Sequence, residues 1–305
     1  MYVLRRFGLI CFSIILTPLL LAVVALHAAD DTVMDPNKQK QYLVQAQFYP
    51  ILKEEMVNEI VDRTFSNPEG LLTKTISGFF RTIVNDAVDE QLLQSKTEEV
   101  LDSLHAYLNN DRDDQVITFD IRDLKQTLLL KMNEVLEQQG QGMPIPSQYT
   151  TNRIIEDLSG YIPNEIDLVG LFIESDDLND LKMMYGGYKI SFTIVYTAIA
   201  IVVGIGLLIA ASLKTGFIWL GVNCFISGGI LLILTGIRTI TDESIEWYLD
   251  PEYIAYQPVI EQFIKAALKD MGSVLVNGSG ILIAAGVLCM VLSNYFYRRN
   301  RHRTV

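Results

Sequence analysis

Acidic residues are missing from whole stretches of this chain. All 36 Asp and Glu fall in Asp30–Asp180 or in Asp242–Asp270. Cysteine is scarce as well: Cys11, Cys224 and Cys289 all lie in apolar runs, where they read as small apolar residues. The polar segments have none, so disulfides are not what holds them together. Histidine is limited to His27, His105 and His302. Only His105 lies well inside the long polar segment, and with no second His to join it a histidine-based metal site is disfavoured. The chain has no Gly-x-Ser-x-Gly, no His-Glu-x-x-His and no phosphate-binding loop. A net charge of −12 disfavours nucleic-acid binding, because the acidic segment repels phosphates. The acid clusters Asp111/Asp113/Asp114 and Glu174/Asp176/Asp177/Asp180 lack EF-hand spacing and read as solvated surface.

What the chain does have is grease in long runs. Ile190–Ser212 and Phe217–Ile237 contain no acid or base, and only Leu213-Lys-Thr-Gly216 separates them. At 1.5 Å per residue such a run is about 30 Å long as a helix, the hydrocarbon thickness of a bilayer. Lipid offers no partner for backbone N–H and C=O groups, so the runs must be helical, here as an antiparallel hairpin. Phe7–Ala28 and Val274–Tyr297 make four candidate spans. The segment between the first two is about 160 residues, enough to bury a real core.

Basic residues sort against the acids. Arg5 and Arg6 precede the first span, Lys214 sits in the hairpin turn, and Arg298, Arg299, Arg301 and Arg303 follow the fourth span. Excess Lys and Arg mark the cytoplasmic side. Both chain ends are therefore expected in the cytosol, and residues 30–187 and 238–273 outside it. The expected organisation is 1–29, an N-terminal transmembrane anchor or signal peptide; 30–187, an extracytoplasmic helical domain; 188–237, a transmembrane hairpin; 238–273, a short extracytoplasmic segment; 274–297, the fourth transmembrane helix; and 298–305, a basic cytoplasmic tail. For residues 1–29, Arg5-Arg6 and Ala28-Ala29 fit a leader. The apolar run is longer than a leader's usual core, and Leu26 and His27 break the small-x-small rule, which favours a retained helix.

Between the first two spans the fold class reads as mainly α with two short strands. Asp35-Pro36 offers an N-cap with proline at the first helical position. Tyr42, Ala46, Tyr49, Leu52, Met56 and Ile60 recur at helical steps, with Pro50 expected to kink or divide the helix. Asn67-Pro68 begins another pattern, through Leu72, Ile76, Phe80, Ile83 and Ala87. Ser95-Lys-Thr-Glu98 reads as a capping box ahead of Val100, Leu104 and Leu108. Val116–Asp120 and Glu165–Val169 are strand candidates. Asp120 offers a cap for a helix through Leu124–Val135, a loop covers Gln138–Ser147, and a short helix is expected near Thr151–Ser159. A helix from Ser175 or Asp176 runs towards the second span, with an interruption expected at Gly186-Gly187. In the second outer segment, Trp247, Tyr248, Tyr253 and Tyr256 suit either the lipid–water interface or packing under the domain. Pro258 starts a helix that enters the fourth span or breaks at Gly272.

Inside the spans, Ala200/Gly204, Gly206/Ala210 and Gly280/Ala284 are spaced for close helix approach, as are the glycines of the third span. Asn223 is the one strongly polar residue well inside a span and is expected to hydrogen-bond a neighbouring helix. Asn277-Gly-Ser279 matches a glycosylation sequon but lies too near the bilayer for use.

Phe48–Val61, Leu92–Val100, His105, Val116–Asp120 and Ile162–Asp167 in this order resemble a family of uncharacterised prokaryotic four-span membrane proteins with a helical extracytoplasmic domain between spans one and two. The resemblance implies a plasma (cell) membrane location and supplies no activity and no site residues. The expected function is therefore a non-enzymatic integral membrane protein, without cofactor, metal or catalytic residues, presenting its acidic domain to protein or envelope partners. The alternatives are a channel or transporter subunit, or an accessory subunit passing a signal to another membrane protein. Its expected partners are the lipid bilayer and another protein, with a second copy of itself as a further candidate.

Overall fold

The computed structural model describes residues 2–64, 77–78, 81–82, 84–111, 118–120, 122, 125–127, 129–131, 134, 165–167, 175–210, 212–240 and 256–301. Among these the chain is mainly helical: α1 (Tyr2–Asp30), α2 (Pro36–Gln45), α3 (Phe48–Thr64), α4 (Glu90–Leu108), α5 (Ser175–Ile209), α6 (Leu213–Ile240) and α7 (Gln257–Arg301). Two three-residue strands, β1 (Thr118–Asp120) and β2 (Glu165–Asp167), pair antiparallel with Phe119 opposite Ile166. Four helices are long and apolar enough to cross a membrane, over Arg5–Asp30, Asp177–Ile209, Leu213–Gly236 and Gln257–Tyr295. Their outward faces are greasy: Leu208 is 85% exposed, Ile14 70% and Ile281 70%. An apolar surface of this extent is stable against lipid and would drive association in water. The chain is thus a multi-pass membrane protein by helix length and composition.

Contacts divide the chain into two units, Met1–Tyr42 with Gly186–Tyr248 and Glu261–Val305, and Leu43–Tyr185 with Leu249–Ile260. In the first unit the register of contacts gives the helix directions. Trp219 bonds to Leu9 and Ser13, and Asn223 bonds to Ser13 and Thr17, so α1 and α6 run parallel. Gly8 meets Ile209 near one end of α1, while His27 meets Tyr196 near the other, so α1 and α5 run antiparallel. Gly221 faces Gly286, Gly228 faces Ser279, and Ser293 bonds to the Lys214 carbonyl. One number rises as its partner falls by the same amount, which is the mark of antiparallel helices. The four spans alternate up and down.

Glycine sets how closely α6 and α7 approach. A Cβ on Gly221 would stand 2.8 Å from the Gly286 carbonyl oxygen, and one on Gly286 the same distance from the Gly221 oxygen. At Gly228 it would meet the Ser279 oxygen at 2.8 Å. Backbones this near leave no room for a side chain, which is the packing small residues permit in membranes. The spacing-based expectation is corrected here. Gly204 and Gly280 have nothing within 4 Å, because their side of the helix is open. Gly206 does pack, against the Trp219 ring.

Four boundary expectations are also corrected. The hairpin turn lies at 210–212, not at Leu213–Gly216, because Ser212 caps α6: its Oγ accepts from Thr215 N–H at 3.3 Å. Helix α5 passes through Gly186-Gly187 unbroken; α7 likewise passes through Gly272, the alternative in which that helix enters the fourth span. Each glycine costs about 1 kcal/mol relative to alanine in a helix, less than unpaired backbone groups cost near lipid. Pro50 does not divide its helix. The break comes earlier, at Ala46–Gln47, where Gln47 has φ 55°, and Pro50 sits in the first turn of α3, where no N–H partner is needed. Ser95–Glu98 lies inside α4, which starts at Glu90 with Asp89 as N-cap accepting from Gln91 N–H at 3.3 Å.

The second unit has a buried core of its own. Tyr49, Leu52, Val57 and Val61 of α3 are buried, so Val57 and Val61 take the places expected for Met56 and Ile60. Val84, Val88 and Leu93 have no exposure. At the far end of α4, Tyr107 and Leu108 pack with Leu178 of α5, flanked by Val100, Leu104, Leu181 and Tyr185. Asn109 and Asn110 (φ 61°) end α4 as the polar turn predicts. The Asn67–Phe80 stripe is largely outside the described residues. So are Val116, Ile117, Leu168 and Val169 of the strand candidates, the loop Gln138–Ser147, the helix near Thr151–Ser159 and the aromatic stretch Trp247–Tyr253.

The glycine contacts give a paired prediction. Gly221→Val forces α6 and α7 apart and lowers stability by about 1–3 kcal/mol, whereas Gly204→Val, facing open space, changes it by less than about 0.5 kcal/mol. Thermal unfolding of the two purified variants in detergent checks both.

Candidate functional site

Among the described residues no group of three or more His, Cys, Asp and Glu is placed to hold a metal ion. Asp111, Asp177 and Asp180 are exposed, and Asp113, Asp114 and Glu174 lie outside the described residues, as does His302. Cys224 and Cys289 are half-buried free thiols near Gly286 and Gly221 in the α6–α7 contact. Asn277 lies within α7, inside a helix rather than on a loop. Three polar constellations stand out among the described residues.

The first lies within the membrane-crossing helices. On α6, Trp219, Asn223, Ser227, Leu231 and Thr235 repeat every four residues and are all buried. This row forms one ridge of the helix. Asn223 is 1% exposed. Its Nδ2 donates to the Trp219 carbonyl at 2.7 Å and to Ser13 Oγ at 3.2 Å, and its Oδ1 accepts from Thr17 Oγ1 at 3.3 Å. The Trp219 indole N–H is shared between the Leu9 carbonyl at 3.0 Å and Ser13 Oγ at 2.8 Å. Asn223 thus bonds a neighbouring helix, as its position predicts. Sequence reading passed over Ser13, Thr17 and Trp219. Their signal was the shared four-residue step with Leu9 and Asn223, visible only once α1 is known to lie beside α6. Around them Leu9, Leu16, Val202 and Trp219 close an apolar cluster. Ser227 Oγ is buried and finds no partner.

The second constellation sits where α1 and α2 meet the spans. Lys38 Nζ is 2.7 Å from Asp270 Oδ2, and the Tyr42 hydroxyl donates to the same oxygen at 3.1 Å. Tyr42 stacks edge-on against Phe263. Burial and the neighbouring carboxylates, Asp270 foremost, hold the Tyr42 phenol above its ordinary value. Nearby on the same end, the Tyr188 hydroxyl donates to the Leu26 carbonyl at 2.9 Å and to Asp30 at 3.2 Å, while His27 Nε2 and the Tyr196 hydroxyl are 2.6 Å apart. An aromatic group bonding polar atoms at a span's end is what the water–lipid boundary favours.

The third belongs to the second unit. His105 is 7% exposed, with its ring edge-on to Tyr185, so it is the buried residue that a helix-surface or partly buried reading allows. Next to it, the Tyr107 hydroxyl bonds Asn179 Oδ1 at 3.2 Å, and Lys182 Nζ lies 4.2 Å from the centre of the Tyr107 ring. These contacts tie the end of α4 to the start of α5. Elsewhere in the unit, Tyr49 is buried and its hydroxyl has no partner among the described residues. Burial, with Glu98 adding to it, pushes its phenol up to about 12. Burial and Glu55 raise Tyr256 in the same way.

None of the three joins a nucleophile to a base and an orienting group, which acyl or phosphoryl transfer requires. All three read as joints between helices. No family model matches the chain, and comparison with curated proteins and with solved structures returns no match.

Tyr49 yields a prediction with a defined sign. Its folded value lies above the unfolded value of 10.0, so the stability tied to the neutral phenol is complete below pH 10 and lost as pH rises towards about 12. Tyr49→Phe removes both the titration and an unpaired buried hydroxyl. It is expected to raise stability by up to about 1 kcal/mol at neutral pH and to flatten the loss between pH 10 and 12, as read by thermal unfolding across that range.

Proposed function

We propose that the chain is a non-enzymatic protein of the cell membrane that holds its acidic helical segment, residues 30–187, outside the cytosol for contact with protein or envelope partners. One observation carries the reading. The alternating spans put Arg5 and Arg6, the 210–212 turn with Lys214, and the Arg298–Arg301 end of α7 at one end of the first unit. The acids Asp30 and Asp270 stand at the opposite end. Positive charge is retained on the cytoplasmic side during insertion, so the basic end is the inner one. The acidic segment and residues 238–273 then face outwards, with both termini in the cytosol.

Packing supports a presenting role over conduction. The α1–α6 seam is filled by Leu9, Leu16, Trp219 and Asn223, and the α6–α7 seam by touching backbones. Ion and proton routes through a bilayer carry buried charges, and the described apolar stretches of the spans carry none. The contacts of Tyr107, Asn179 and Lys182 tie α4 to the first residues of α5 within the second unit. A surface of this charge suits basic partners or cation-bridged envelope polymers.

Two measurements on intact cells test the reading. A single cysteine introduced at Asp111 in a chain lacking the native three is expected to react with a membrane-impermeant maleimide before lysis; protection until lysis would invert the orientation. Crosslinking in the membrane followed by mass spectrometry is expected to recover a protein or envelope partner attached to residues 30–187. Recovery of lipid and self-contacts alone would defeat the presenting role.

A further inference from the structure

We propose that Met1–Ala29 is a permanent span and not a removable leader, because the buried polar groups of α6 are completed by α1. The sequence favours a retained helix without deciding it, since Arg5-Arg6 and Ala28-Ala29 fit a leader while the long apolar run, Leu26 and His27 do not. The hydrogen bonds resolve it. Take α1 away, and the Asn223 amide loses Ser13 and Thr17, keeping only the Trp219 carbonyl of its own helix. The Trp219 indole N–H loses both of its acceptors, the Leu9 carbonyl and Ser13 Oγ. Both groups would then face hydrocarbon, where no water replaces the lost partners.

The same helix serves every other span. Val24 fills the space beside Gly278 of α7, Gly8 meets Ile209 of α5 with 3.6 Å between a Cβ there and Ile209 Cγ2, and Leu26 and Asp30 accept from Tyr188. Leu16 of α1 is 1% exposed. A passenger leader has no reason to be complementary to three separate helices.

The junction itself is closed to a protease. Processing needs an exposed backbone that can enter a cleft in extended form. Helix α1 continues through Asp30, Ala28 has no exposure, and the turn beyond is tied back by Asp31 N–H to the His27 carbonyl at 2.9 Å and Met34 N–H to the Ala29 carbonyl at 3.0 Å. Thr32, also fully buried, donates its hydroxyl to the Ala28 carbonyl. The candidate cleavage point is the middle of a capped, packed helix end.

The test uses the full chain with a C-terminal tag, purified from membranes. Intact mass and N-terminal sequencing are expected to show Arg5–Ala29 retained; a mature terminus between 27 and 35 would overturn the proposal. The second arm asks whether the polar seam is what holds the helix. Ser13→Ala with Thr17→Val is expected to lower the melting temperature in detergent by roughly 2–6 °C, through the loss of the interhelical bonds. Asn223→Leu combined with that pair is expected to recover part of the loss, because it removes the amide left without partners. A double variant as stable as the parent would show that α1 is not docked through this seam.

Discussion

Hydrocarbon has no hydrogen bond to offer, and the rest of this structure follows from that. Four runs of the chain close their backbone groups into helices because nothing else in lipid can satisfy them. The few polar side chains carried inside must then find each other. Asn223 and Trp219 on one helix, Ser13 and Thr17 on another, do so within 2.7–3.3 Å. Apolar faces of the spans are interchangeable against lipid, but these bonds are not, so they select which helices become neighbours and in which register.

Once α1 and α6 are paired in parallel, the remaining geometry is constrained. A short turn at 210–212 returns the chain from α5 into α6, and glycine contacts bring α7 against α6 in the opposite direction. The bundle then sorts its charged ends, with arginines and Lys214 at one end and Asp30, Lys38 and Asp270 at the other. The second unit has its own core. There Tyr107, Leu108, Leu178, Val84 and Leu93 are buried, and N-caps such as Asp89 finish its helices. Helix α5 belongs to both units, charged within Ser175–Asp180 and without acid or base beyond Ile190. Its continuity through Gly186-Gly187 shows the backbone ladder prevailing over local helix preference at the boundary.

Much of the fold was legible in the residues, and the reasons differ by element. The Asp35-Pro36 start of α2, the Ser175 start of α5 and the Asn109 end of α4 were readable because capping is local chemistry. The Ser95–Glu98 capping box misled because the same spacing also occurs within a helix, and a stronger cap at Asp89 lay upstream. Of the candidate site, Asn223 stood out by its polarity alone. Ser13, Thr17 and Trp219 did not, since serine and threonine inside a span commonly bond their own helix, as Thr235 does to the Leu231 carbonyl.

Two properties came from the amino-acid order alone: the four spans and the separation of acid from base along the chain. Both depend on summed transfer free energies over some twenty neighbouring residues, and no distant partner can reverse them. The tertiary structure decided which glycines touch a backbone and which face open space, which hydroxyls complete the Asn223 amide, and that α1 lies against all three other spans. Those outcomes depend on what stands across a helix interface, from 51 to 210 positions away in the chain. Helical periodicity specifies a face and leaves the neighbour of that face to packing.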